Sequence, residues 1–286
     1  MRRVLQYEPR DLTISVEAGL PWAELTGILA ERRQMIPLDP PWFDQCTVGG
    51  TVGANLCGPR RRLYGSARDL VIGMRFATLE GKIVQSGGMV VKNVAGLDMA
   101  KLLIGSWGTL AAISVVNFKL VPMPHETRTF AEPFDILESA IAVRDRILRS
   151  PLQPVALDLL NPVAAEMFGL PPAFILLAQA GGTGAVLDRY QRELPAARVV
   201  DCAIWSDVRE FVPKTGARRI STTLSGVRDV LENSAGPAIA RAGSGIVYVA
   251  GAPARAAEPS DAMMGKVKDL FDPQRLLNPG RDYDGF

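Results

Sequence analysis

The chain has 286 residues, 48% of them hydrophobic and 22% charged, with a formal net charge of +2. That length predicts about two domains with a core large enough to need no staples, and the near-neutral balance argues against a nucleic-acid partner. Three cysteines without a C-x-x-C spacing argue against a disulfide framework or a structural zinc site and fit a reducing, cytoplasmic setting.

From the N-terminus, Arg2-Arg3 lead into no apolar h-region, and no apolar run reaches the ~20 residues that a membrane span needs. No transmembrane segment is expected, and any membrane docking would be peripheral and through partners. Leu12–Glu17 alternates and predicts a strand. Pro21 opens a helix over Trp22–Arg33, with apolar residues at 22, 25, 28 and 29. Leu70–Thr78 and Lys82–Gln85 form a predicted hairpin about Glu80-Gly81. Leu110–Val121 is a longer β-type run ending at Pro122 and Pro124. The single histidine, His125, follows in a linker-like stretch, which argues against a histidine metal site or a Ser-His-Asp hydrolase. Beyond it, helices are predicted at Asp135–Arg149, Gly184–Leu194 and Asp261–Phe271. Strands are predicted at Pro154–Leu160, Phe174–Gln179, Val199–Ile204 and Ile246–Val249. The mixture predicts an α+β class, with helices over an antiparallel sheet.

Four small-residue clusters lie within one small domain's length: Thr47-Val48-Gly49-Gly50-Thr51-Val52-Gly53-Ala54-Asn55, Gly65-Ser66-Ala67-Arg68-Asp69, Gly87 to Asp98, and Gly105-Ser106-Trp107-Gly108-Thr109-Leu110. The first is neither a P-loop nor a G-x-G-x-x-G turn, and by itself it reads as a glycine-rich bend in a sheet protein rather than a ligand loop. Its successive N–H groups would suit an anion. Arg68-Asp69 reads as a structural ion pair. Lys92 and Asn93 could fix a turn or reach a phosphate or ring edge.

Together with Tyr7-Glu8-Pro9, Gly58-Pro59-Arg60-Arg61 and the closing Leu277-Asn278-Pro279-Gly280-Arg281, these clusters resemble the vanillyl-alcohol oxidase/p-cresol methylhydroxylase (PCMH) group of FAD-binding domains. Within that group, the resemblance is to FAD-binding subunits of bacterial glycolate oxidase (glycolate dehydrogenase). It is dense over 1–122 and 266–283 and vague between. It implies the second half of a PCMH-type FAD-binding domain over 1–124, an α+β cap over 125–260, and a helix and tail over 261–286 that return to the FAD domain. FAD is the implied cofactor. Thr47, Val48, Gly49, Gly50, Thr51, Gly53, Ala54 and Asn55 would run beside the flavin and its ribityl-pyrophosphate chain. Gly65, Ser66 and Asp69 would face the same cofactor, with Lys92, Asn93, Gly105, Gly108 and Thr109 on neighbouring bends. Ile113 would meet the adenine end, and Asn278 and Arg281 would return towards the flavin.

The family normally begins with a subdomain whose glycine-rich loop holds the pyrophosphate, and Met1 falls after that point, so the chain is expected to be truncated. Ala111 and Ser114 stand where the family more often has glycine and threonine, and Leu97 replaces a usual aromatic. Oxidation of a 2-hydroxy acid needs a base for the hydroxyl proton, and the chain places no histidine for that role. The expectation is a subunit that binds FAD and relays electrons, or supports a flavin catalytic subunit, beside an iron–sulfur subunit. The competing readings are a structural subunit without bound FAD and a stand-alone oxidase for another substrate.

Overall fold

The structure, a computed structural model, describes residues 1–90, 97–252 and 262–279. In chain order its elements are β1 (Val4–Glu8), β2 (Thr13–Glu17), α1 (Trp22–Ala30), β3 (Gln34–Met35), α2 (Val48–Gly53), α3 (Arg61–Tyr64), α4 (Ala67–Leu70), β4 (Val71–Ala77), β5 (Ile83–Gly87), α5 (Met99–Leu103), β6 (Ala112–Lys119) and β7 (Val121–Pro122). There follow β8 (Glu126–Phe134), α6 (Leu137–Arg149), β9 (Ala156–Leu160), α7 (Pro162–Met167), β10 (Phe174–Gly182), α8 (Gly184–Glu193), β11 (Arg198–Val200), α9 (Ile204–Arg209) and α10 (Phe211–Thr215). The last are β12 (Arg218–Ser221), α11 (Val227–Glu232), β13 (Ala238–Arg241), β14 (Ile246–Val249) and α12 (Ala262–Phe271). The chain forms two compact units. One comprises Met1–Cys57, Gly65–Met123 and the C-terminal segment; the other comprises Gly58–Tyr64 and the stretch from Pro124.

The first unit is built on a five-stranded sheet in the order β1-β2-β6-β4-β5, antiparallel throughout. The interior strand β2, rich in β-branched residues, is buried along its whole length. Ile14 and Val16 pack with Val116 and Phe118 of β6, with Trp22, Leu25 and Leu29 of α1, and with Val48 and Val52 of α2. Helix α1 stops short of the predicted Arg33. The amides of Arg32 and Arg33 turn back to Leu29 and Ala30, and Arg33 takes a left-handed φ of 52° that ends the helix. The β4–β5 hairpin forms as predicted, with Gly81 at φ 77°.

The second unit is a seven-stranded antiparallel sheet in the order β11-β8-β10-β9-β13-β14-β12. Alternation along β9 sends Leu157 and Leu159 into one core and Ala156 and Leu160 into another. Helices α6, α8 and α11 cover the first face; α7, α9 and α10 cover the second. Helices therefore lie over antiparallel sheet, the α+β arrangement expected from the sequence. The strand predicted over Val199–Ile204 is only partly present. Asp201 accepts a hydrogen bond from the Ala203 amide at 2.9 Å and turns the chain into α9, which buries Trp205 and Val208. Strands β8, β12 and β13 went unpredicted. No helix among the described residues is long and apolar enough to cross a membrane.

Candidate cofactor site

Thr47 caps α2, its hydroxyl accepting from the Gly50 amide at 3.1 Å. The Val48 amide donates to the Leu20 carbonyl at 3.0 Å, that of Gly49 to Ala18 at 2.7 Å, and that of Thr51 to Thr47 at 2.9 Å. The amides that would make an anion cradle are thus consumed in seating the helix. This corrects the expectation of anion-binding N–H groups here. Only glycine at 49 permits the seating: a Cβ there would lie 2.9 Å from the Ala18 Cβ and 3.1 Å from its carbonyl oxygen. What the run 47–55 presents to a ligand is side chains and a close-packed surface.

The segment Gly105–Thr109 lies along the other end of α2. The Gly105 amide donates to the Val52 carbonyl at 3.2 Å and the Trp107 amide to Gly53 at 2.8 Å. Both carbonyls belong to the last turn of α2, where no i+4 partner within the helix remains. Reaching them requires left-handed backbone at Gly105 (φ 83°), Trp107 (56°) and Gly108 (69°), and Asn55 adopts it too (50°). In a residue as bulky as tryptophan this conformation is costly, and such costs gather at functional sites. Ile113 Cδ1 lies 3.9 Å from where a Gly53 Cβ would stand. Asn278, itself at φ 46°, donates from Nδ2 to the Trp107 carbonyl at 2.7 Å. The structure therefore brings together Thr47, Val48, Gly49, Gly50, Thr51, Gly53, Ala54, Asn55, Gly105, Gly108, Thr109, Ile113 and Asn278.

Within this cluster Thr51 Oγ1, Asn55 Oδ1 and Ser106 Oγ are buried without a hydrogen-bond partner among the described residues. An unsatisfied buried polar atom costs about 1–3 kcal/mol, and native proteins hold few of them. Three such atoms on two adjoining segments fit a site that receives a polar ligand. Asn117 Oδ1, on β6, is a fourth in the same unit.

Gly65, Ser66 and Asp69 are arranged differently. Asp69 Oδ2 accepts from the Ser66 amide at 2.8 Å and from its hydroxyl at 3.2 Å, forming a capping box at the start of α4. Arg68 turns away from Asp69 and donates to the Lys101 carbonyl at 2.7 Å, so the predicted Arg68–Asp69 ion pair does not form. Lys92, Asn93 and Arg281 lie outside the described residues.

The sequence reading assigned no role to Ser106, Trp107, Asn117 or the α12 pair Lys268–Asp272. Lys268 is buried and spends its three N–H donors on the Thr109 carbonyl at 2.7 Å, the Leu277 carbonyl at 3.0 Å and the Asp272 carboxylate. Asp272 also accepts from the Leu276 and Leu277 amides at 2.9 and 2.7 Å. Burial pushes its carboxyl up, but the Lys268 ammonium and the two amides outweigh that and hold it down at about 2. The signal in the sequence was a lysine beside Val267 and near Phe271, both of which pack on the core.

The second unit buries its own polar groups. Asp158 on β9 and Arg241 on β13 stand in register and form an ion pair, with the guanidinium 5.2 Å from the Tyr248 ring centroid. Burial pushes the Tyr190 phenol up to about 12, partly offset by Arg62. Burial likewise raises Glu132, partly offset by Arg146. Among the described residues no group of three or more His, Cys, Asp or Glu is placed to hold a metal ion.

The FAD binding domain family matches residues 1–87. The chain is 32% identical to glycolate oxidase subunit GlcE of Escherichia coli, over 73% of this chain and 56% of that protein. It is 28% identical to glycolate oxidase subunit GlcD of Bacillus subtilis, over 68% of this chain and 43% of that one. The chain thus spans about half the length of these curated relatives. Among solved structures, an alkyldihydroxyacetonephosphate synthase superposes with a TM-score of 0.74 at 17% identity, covering 98% of this chain and 65% of its own. At that identity the likeness speaks for the fold alone.

Proposed function

We propose, from the premise that this chain carries a PCMH-type FAD binding domain of the family matched over residues 1–87, that it is an FAD-binding subunit of a 2-hydroxy-acid oxidoreductase of the glycolate oxidase kind. FAD is its cofactor, and FAD supplies hydride- and electron-accepting chemistry when bound. The observation that carries the proposal is the convergence of α2, Gly105–Thr109 and Asn278 around three buried, unsatisfied polar atoms. Thr51, Asn55 and Ser106 would hydrogen-bond the cofactor. The glycines and the left-handed backbone would let it lie against the main chain. Asn278 would fix the far side of the Trp107 bend. Gly65, Ser66 and Asp69, joined in their capping box, would shape the neighbouring wall. Lys92, Asn93 and Arg281 would add polar contacts.

The chain's one histidine belongs to the segment joining the predicted domains, and no general base for a substrate hydroxyl is evident in the cluster. We therefore assign substrate oxidation to a partner flavin catalytic subunit. This chain would relay electrons or support that subunit, beside an iron–sulfur subunit. The relatives named as subunits of glycolate oxidase support an assembly of this kind. Any attachment to a membrane would be peripheral and through partners.

Purified full-length chain titrated with FAD should turn yellow and quench flavin fluorescence at a 1:1 ratio. Glycolate or D-lactate alone should leave the flavin oxidised, and adding the catalytic subunit should bleach it. Failure to take up FAD would favour the cofactor-free structural reading. Bleaching by a hydroxy acid with no partner present would favour a stand-alone oxidase.

A further inference from the structure

We infer that Lys268 is a positioning residue for the cofactor-facing bend Gly105–Thr109, fastening it to the segment that carries Asn278. The inference rests on the FAD reading above for the bend's purpose, and on the hydrogen bonds alone for the fastening. A lysine ammonium has three N–H donors, and all three are committed. One reaches the Thr109 carbonyl, one the Leu277 carbonyl one residue before Asn278, and one Asp272, which in turn holds the Leu276 and Leu277 amides. Lys268 is 6% exposed and Asp272 is fully buried, so water does not compete for these bonds. The bend needs an external hold. Its backbone is left-handed at three of five positions, and its hydrogen bonds to α2 come from the amides of Gly105 and Trp107. Lys268 grips the bend from the opposite end, at Thr109, and Asn278 closes it at the Trp107 carbonyl. A cation that binds two carbonyls and a carboxylate does not touch the cofactor; it sets the angle at which Ser106 and Trp107 meet it.

The test uses the full chain and two variants, Lys268→Met and the double variant K268M/D272N. The second removes both buried charges yet leaves an acceptor for the Leu276 and Leu277 amides. Hydrogen exchange is measured without FAD, and FAD affinity and the visible circular dichroism of the bound flavin are measured with it. In the double variant the Gly105–Thr109 amides should exchange about tenfold faster while β8–β10 is unchanged, FAD should bind about tenfold more weakly, and the flavin dichroism should change. Unchanged exchange at the bend overturns the inference, as does acceleration spread evenly over the first unit. Faster exchange with unchanged FAD affinity and dichroism overturns the positioning role. If the wild-type chain takes up no FAD, the proposed function falls, and the exchange pattern alone decides whether Lys268 holds the bend.

Discussion

The two units differ most in where they hold strained backbone. The first keeps a tight cluster of buried hydroxyl and amide oxygens without partners. It also contains all seven of the non-glycine residues with left-handed φ among the described residues: Leu12, Arg33, Trp42, Asn55, Trp107, Arg275 and Asn278. Among its described residues the second has left-handed backbone only at glycines, and although Arg62 Nε and Glu132 Oε2 are buried there without a partner, its most extensive buried polar contacts serve the scaffold. Asp158 and Arg241 pair across adjacent strands. The Asn161 Oδ1 accepts from both Ala164 and Ala238 while its Nδ2 donates to Gly236. Left-handed backbone at bulky residues, gathered in one unit, marks a region shaped for something other than its own stability.

Substitutions can separate the two regimes. The largest effect should come from Arg241→Met, which removes the guanidinium beside a fully buried carboxylate. Denaturant melts should show a loss of about 3–5 kcal/mol, and a neutral result would mean that this pair is not part of the scaffold. Gly49→Ala should cost about 1–3 kcal/mol by forcing α2 off Ala18, and FAD retention during gel filtration should fall with it. Thr51→Val should go the other way without ligand. Losing an orphaned hydroxyl should leave the apoprotein as stable or up to about 1 kcal/mol more stable, while FAD affinity falls severalfold. A drop in apoprotein stability would show that the hydroxyl is satisfied after all.

Acid should loosen the first unit's tail locally. Asp272 is held below its ordinary 3.8, at about 2, so its stabilisation is complete above pH ~3.8 and is lost as pH falls towards ~2. Exchange at Leu276 and Leu277 should rise over that window, and in the Asp272→Asn variant the pH step should vanish. The smallest effect should be that of Arg228→Ala. Its partners Glu138 and Glu232 are exposed, as it is, and the melting curve should stay within its experimental scatter.

The bends at 47–55 and 105–109 were legible because glycine and small polar residues there are required by backbone geometry, which is a local property. The α6 helix and the β4–β5 hairpin were legible for the same reason, through periodicity and turn chemistry. Strand β8 was not: Arg128, Glu132 and Pro133 interrupt its alternation, and Glu132 is buried only because β10 and its neighbours bring a core over it. Lys268 and Asp272 drew no reading from the sequence, because the lysine's main partner outside its own helix, the Thr109 carbonyl, is 159 positions away in the chain. That three oxygens would be left unsatisfied cannot be read from residue types at all, since it depends on what fails to reach them.

The fastening at Lys268 also imposes an order on biosynthesis. The first unit is interrupted by the whole second unit, so residue 109 leaves the ribosome 159 residues ahead of the lysine that clasps it. At roughly 5–20 residues per second, that is on the order of 10–30 s during which the nascent first unit stands open. The intervening unit, whose strands all come from one continuous stretch, can fold in that interval, and the earlier-made unit is completed last.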